Sequence, residues 1–152
     1  ARTLSGLAAR PLHDVHDDFT LASPVEERPL DRPLLARVRA LLGTLARAPE
    51  GPRLARFTGA RAGALSVASR DAKLPVALDA ADVAGDPFRL LARPTLLLDA
   101  EHAVVREARE LAARDVPTAA ALVARAILLE RGQLDEEADD EAWLEAAARE
   151  VP

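Results

Sequence analysis

The stretch TLLLDAEHAVVREAREL, residues 95–111, predicts a strand that runs directly into a helix. TLLL (residues 95–98) is a short apolar strand. Asp99 is a good N-cap, and Glu101 then lies near the positive end of the helix dipole. Beyond that point, apolar residues recur at helical spacing, at Val104, Val105, Ala108, Leu111 and Ala112. The chain therefore combines strands with helices.

Two more helices are predicted after this one. Asp115 and Pro117 mark a break, and Thr118 caps the segment TAAALVARAILLERG, which ends at Gly132. This helix is apolar almost all round, which predicts cover on more than one side, and in a domain this small a second copy of the chain can supply it. The acidic run at 135–141 is predicted to be a solvated turn that leads into a last helix. This last helix is too short to be stable alone. The last helix has an apolar face of Trp143, Leu144, Ala147 and Val151.

A helix and a hairpin are predicted before the opening stretch. Asp31 is placed as the N-cap of a helix that ends before Pro49. The segments RLARFTG (53–59) and ALSVAS (64–69) alternate in part between apolar and polar residues. Glycines bracket the turn between them, so we expect an antiparallel hairpin.

Residues 70–94 contain three prolines and Gly85, which argue against one long element. They predict a short strand near residues 75–78 and a turn of helix near residues 86–91. Together these elements predict an α+β fold. It consists of a helix, a small and mainly antiparallel sheet of three strands, and three C-terminal helices.

The first 32 residues are predicted to be an N-terminal arm or linker, because Pro11, Pro24 and Pro29 interrupt any helix. On a helix, the side chains of His13, His16 and Asp17 share one side. Two histidines and a carboxylate can ligate iron or zinc, so a metal-dependent enzyme is one hypothesis. The alternative is a short docking turn that leaves these polar residues in water, with an apolar stripe of Leu12, Val15 and Phe19.

The composition restricts the class of protein. The 152 residues are enough for one domain with its own core, and the absence of cysteine excludes disulfides and thiolate chemistry. We expect no membrane span and see no signal peptide. Residues 28–98 carry 12 basic and 6 acidic side chains, whereas residues 99–152 carry 6 and 14. The basic part lacks aromatic platforms and the acidic part would repel phosphates, so we expect no nucleic-acid binding.

Four stretches carry a resemblance to a known family. They are RVRALLG (37–43), RLARFTGARAGALSVAS (53–69), LLLDAEHAVVREA (96–108) and ARAILLERGQLDE (124–136). In sequence and spacing they resemble the C-terminal dimerisation domain of the heat-shock protein 90 chaperone family, most closely the bacterial high-temperature protein G type. The resemblance covers residues 33–150, so residues 33–152 are predicted to be this domain.

The resemblance implies a homodimer, in which the last two helices of each chain form a four-helix bundle across a two-fold axis. These helices correspond to residues 118–131 and 139–150. The expected dimer interface consists of Leu122, Val123, Ala126, Ile127, Leu129, Trp143, Leu144 and Ala147.

The resemblance also implies a cytoplasmic, bacterial stress-response protein that acts on unfolded client proteins. ATP binding and hydrolysis belong to another domain of the full-length family, so we expect no catalytic or cofactor-binding residue in this chain. The family's methionine-rich client-binding helix is replaced here by a segment without methionine. The weaker candidates for client contact are Val83, Phe88 and Leu91. A free-standing dimeric adaptor without ATPase activity is the alternative.

Overall fold

The structure is a computed structural model that describes residues 19–43, 50–69, 73–79 and 94–132, together with residue 140. Five strands and three helices lie in these ranges. In chain order they are β1 (Phe19–Ser23), α1 (Asp31–Leu42), β2 (Glu50–Gly59), β3 (Ser66–Ser69), β4 (Val76–Asp79), β5 (Thr95–Asp99), α2 (Ala103–Leu111) and α3 (Val116–Glu130).

The five strands form one mixed sheet in the order β3-β5-β2-β1-β4. β2 and β5 run parallel, whereas the pairs β1/β2, β1/β4 and β3/β5 are antiparallel. The sheet is curled into a half-barrel. The predicted sheet of three strands is therefore wrong, because β1 and β4 extend the sheet beyond β2. The short strand predicted near residues 75–78 is confirmed as β4.

The predicted hairpin is wrong in its pairing. The turn between β2 and β3 forms as expected, with positive φ at Gly59 and Gly63. However, β5 lies between the two strands and pairs with both. Alternation along a strand determines which side chains face the core, but it does not determine which strand is the neighbour. All five residues of β5 are buried, which suits an interior strand with covered faces.

β5 is the centre of the core. Leu96 and Leu98 belong to the apolar cluster that the sheet shares with all three helices. Leu97 belongs to a smaller cluster on the opposite face of the sheet, with Phe57 and Val67. Each of these three leucines is at most 1% exposed. The segment TLLL, predicted as an apolar strand, is thus confirmed and is enclosed on both faces.

The junction between β5 and α2 differs from the prediction in its cap. His102, rather than Asp99, is the N-cap of α2, and its Nδ1 accepts a hydrogen bond from the Val104 N–H at 3.3 Å. Asp99 is buried, and its Oδ1 accepts from the N–H groups of Phe57 and Glu101. Asp99 therefore links β5 to β2 and shapes the turn that leads into the helix.

The caps of α1 and α3 also differ from the prediction. Asp31 is the first helical residue of α1 and Leu30 is its N-cap. Asp115 caps α3, since its carboxylate accepts a hydrogen bond from the Thr118 N–H at 3.0 Å. The helices themselves are confirmed. α1 starts at the predicted cap residue, and α3 starts two residues before the predicted cap Thr118 because Asp115 supplies the capping carboxylate.

β1 lies within residues 1–32, the range predicted to be an arm, and it pairs with β2 on one side and β4 on the other. Its sequence FTLAS suits a strand, and Pro24 follows directly. The domain boundary at residue 32 stays a prediction. The predicted turn of helix at residues 86–91 lies outside the described residues. The last predicted helix, 139–150, lies outside them too, apart from residue 140.

Because β5 is buried on both faces of the sheet, substitutions there should affect stability more than substitutions in exposed positions. Leu96→Ala leaves a cavity in the core, and we expect the free energy of unfolding to fall by about 2–5 kcal/mol. Leu21→Ala in β1 is the control, because Leu21 is 43% exposed, and it should cost about 1 kcal/mol or less. Urea unfolding followed by circular dichroism measures both. Equal losses would contradict the assignment of β5 as the centre of the core.

Candidate interaction surface

The inward side of α3 packs against other parts of the same chain. α3 packs against α1 and α2, and five of its buried residues belong to the main core. They are Ala119, Ala120, Val123, Ala124 and Ile127, and Ala121 is buried as well. The many alanines allow the three helices to approach closely, which suits a core with few aromatic side chains.

One line of residues along the less buried side of α3 is also apolar. Leu122 and Ala126 are partly buried and pack against the main core, whereas Leu129 is 57% exposed, the largest exposure of any large apolar side chain in the described ranges. These three residues follow at i, i+4 and i+7, so they form one line along the helix. Arg125, between them in sequence, is exposed as well. We call Leu122, Ala126 and Leu129 the α3 stripe.

The structure divides the predicted dimer interface into two groups. Val123 and Ile127 are each 1% exposed and pack in the core of the chain itself. Leu122, Ala126 and Leu129 form the α3 stripe, and their contact with a partner stays a prediction. The remaining predicted residues, Trp143, Leu144 and Ala147, lie outside the described residues.

The C-terminal end of α3 is attached to the sheet by a side chain that the sequence analysis did not single out. The Glu130 carboxylate accepts hydrogen bonds from the Leu65 N–H at 3.1 Å and from the Ser66 Oγ at 2.6 Å. Ser66 begins β3, and Leu65 is buried in the main core. A separation of more than 60 residues leaves no local pattern from which this contact could be predicted.

A second feature is a polar cleft of about 360 Å³ beside the β5–α2 junction. Two of its side chains, Arg56 and Glu101, form an ion pair at 3.0 Å, with both side chains more than half exposed. Exposed pairs of this kind contribute little to stability. The cleft is lined by residues 25–29, Arg56, Ala100, Glu101 and Arg109. Because three glutamates and three arginines line it, the cleft favours neither anions nor cations.

One wall of this cleft contains a buried ion pair. Arg109 binds Asp31 with two hydrogen bonds, from Nε at 2.9 Å and from Nη2 at 2.7 Å. The Arg28 N–H also donates to Asp31, and Arg109 Nη2 donates to the Glu26 carbonyl at 3.3 Å. The pair therefore attaches the start of α1 and the segment before it to α2.

Two opposing effects act on the pKa of Asp31. Desolvation by burial raises it, but hydrogen bonds from Arg109 and the Arg28 N–H, together with the charges of both arginines, outweigh desolvation. The pKa is therefore lowered from its usual value of 3.8, and the carboxylate is ionised near neutral pH. The ion pair is structural, because both carboxylate oxygens of Asp31 accept hydrogen bonds from donors of the chain itself.

The other predicted sites cannot be placed. His13, His16 and Asp17, the candidate metal ligands, and Val83, Phe88 and Leu91, the candidate client contacts, all lie outside the described residues. Within the described ranges, histidine, aspartate and glutamate side chains form no group of three that could hold a metal ion. No helix in the described ranges is long and apolar enough to cross a membrane.

The buried ion pair predicts a pH-dependent contribution to stability. Asp31→Asn leaves the Arg109 guanidinium buried without its counter-charge, so unfolding should become easier by about 3–5 kcal/mol near neutral pH. Glu101→Gln breaks the exposed pair instead and should cost less than about 1 kcal/mol. Urea titrations of the three proteins at pH 7 measure these differences.

The sign of the pH effect follows from the lowered pKa. The contribution of Asp31 is fully present above its unfolded-state pKa and is lost as the pH falls through the lower, folded-state value. The difference between the unsubstituted chain and Asp31→Asn should therefore be constant from pH 5 to 7 and should shrink below about pH 4. A difference that grows on acidification would contradict this assignment.

Comparison with known proteins identifies no relative of this chain. The chain matches no protein-family model, and searches of curated proteins and of solved structures find no significant similarity.

Proposed function

We propose that this chain is a self-association domain that joins two copies through the α3 stripe, as part of a bacterial, cytoplasmic chaperone of the heat-shock protein 90 family. The observation that carries the proposal is the apolar line on the less buried side of α3. One side of the helix is buried in the core, and the other exposes Leu129 in line with the partly buried Leu122 and Ala126. An exposed apolar line on an otherwise packed helix is typical of a contact with another helix.

The family part of the proposal rests on the four stretches that resemble the chaperone domain. Their described parts lie on α1, on β2 and β3, on the β5–α2 junction and on α3, although β2 and β3 do not pair with each other as the hairpin expected from the sequence. Client binding and ATP-driven conformational change are then tasks of the full-length chaperone.

The stripe is the centre of an interface and not the whole of it. Complete burial of an exposed leucine contributes about 1.5–3 kcal/mol, and stable dimers bury at least about 1,000 Å² in total. In a two-fold dimer the same stripe is used on both copies, so each contact occurs twice. Ala126 lies between the two leucines and permits close approach of the backbones at the centre.

Sedimentation equilibrium across a dilution series tests the proposal. We expect a species of twice the 16.2 kDa chain mass at micromolar concentration, which dissociates on dilution. Leu129→Asp should weaken this dimer by at least about tenfold, because it places a charge in the apolar contact. The matched control is Leu21→Asp, since Leu21 is also a large exposed apolar residue but lies on β1.

Two outcomes would contradict the proposal. One is a chain that stays monomeric at high micromolar concentration. The other is a dimer that Leu129→Asp and Leu21→Asp weaken equally, because the contact would then not depend on the α3 stripe.

A further inference from the structure

The last residue of α3 has the wrong charge for its position. Glu130 ends α3, where the carbonyl groups give the helix its negative end, and a carboxylate is disfavoured there. It also directly follows Leu129, the most exposed residue of the α3 stripe. A contact outside the helix can therefore offset the unfavourable position of the Glu130 charge.

The two hydrogen bonds to the start of β3 provide that contact. The distance of 2.6 Å between Ser66 Oγ and Glu130 Oε2 is typical of a hydroxyl that donates to an ionised carboxylate. The second bond is donated by the backbone N–H of Leu65, a residue that is 4% exposed in the core. Glu130 is thus bound to one of the rigid parts of the molecule.

This attachment acts where α3 is least constrained by packing. Helix ends fray, and side chains that are largely exposed do little to prevent it. The fully buried residues of α3 end at Ile127, and Leu128, two positions before Glu130, is the last one that packs against the core. The Glu130 carboxylate consequently holds the last turn, which carries Leu129, in a fixed position relative to the sheet.

We propose that Glu130 is a positioning residue for self-association: by binding Leu65 and Ser66 it presents Leu129 in a preorganised geometry to a second copy of the chain. An ordered surface loses less conformational entropy on association than a frayed one, so the anchor strengthens the dimer without touching the partner. This inference rests on the proposed function and adds to it the residue that fixes the geometry of the surface.

Substitution of Glu130 tests the inference in the full chain. Glu130→Ala removes both hydrogen bonds and Glu130→Gln weakens them, and we expect the dimer dissociation constant to rise by about tenfold for the first and less for the second. Glu110→Gln is the matched control. Glu110 is an exposed glutamate in the last turn of α2, so its substitution should leave the dissociation constant of the dimer unchanged. Circular dichroism checks that each variant is folded. If Glu130→Ala does not fold, Glu130→Gln and Ser66→Ala carry the test.

A double-mutant cycle distinguishes positioning from a general loss of stability. If Glu130 acts through Leu129, its substitution should have little effect once Leu129 is gone. Glu130→Ala should then change the dissociation constant by less than about twofold in a chain that already carries Leu129→Ser. Equal effects in the two backgrounds, or a dimer unaffected by Glu130→Ala, would overturn the positioning role but leave the proposed function intact. A monomeric unsubstituted chain would overturn the proposed function, and the positioning role with it.

Discussion

Each residue of β5 is buried, so this strand requires a covering layer on each face and a neighbouring strand on each edge. β2 and β3 supply the edges, and the helices cover the face that contains Leu96 and Leu98. The other face, with Leu97, packs against Phe57 and Val67. The need to enclose this one strand explains why β5 lies between two strands that are joined by a short turn, and why the sheet is mixed.

The same requirement determines the position of α3. Its small, apolar inward side covers the core together with α1 and α2, while the α3 stripe is only partly enclosed. Apolar area that is left in water costs free energy. The proposed self-association would bury Leu129 of this stripe, and Glu130 connects the exposed turn to the sheet.

Local features of the fold were predictable from the sequence, and contacts between distant residues were not. The apolar run TLLL predicted β5, but strand order depends on pairings between segments tens of residues apart. Periodicity could not separate Val123, which is buried, from Leu129, which is exposed, because α3 is apolar almost all round. Asp31 has the residue type of an N-cap, and only the fold brings it to Arg109, 78 positions later.

The absence of cysteine permits a direct measurement of the central claim, that two copies meet along the α3 stripe. In a two-fold dimer centred on this stripe, Ala126 lies close to its own copy, within the roughly 7 Å between Cα atoms that a disulfide can bridge. Mild oxidation of Ala126→Cys at micromolar concentration should yield a covalent dimer, whereas Ala40→Cys, on the exposed side of α1, should not. Failure of Ala126→Cys to cross-link, or equal cross-linking of both variants, would contradict the account.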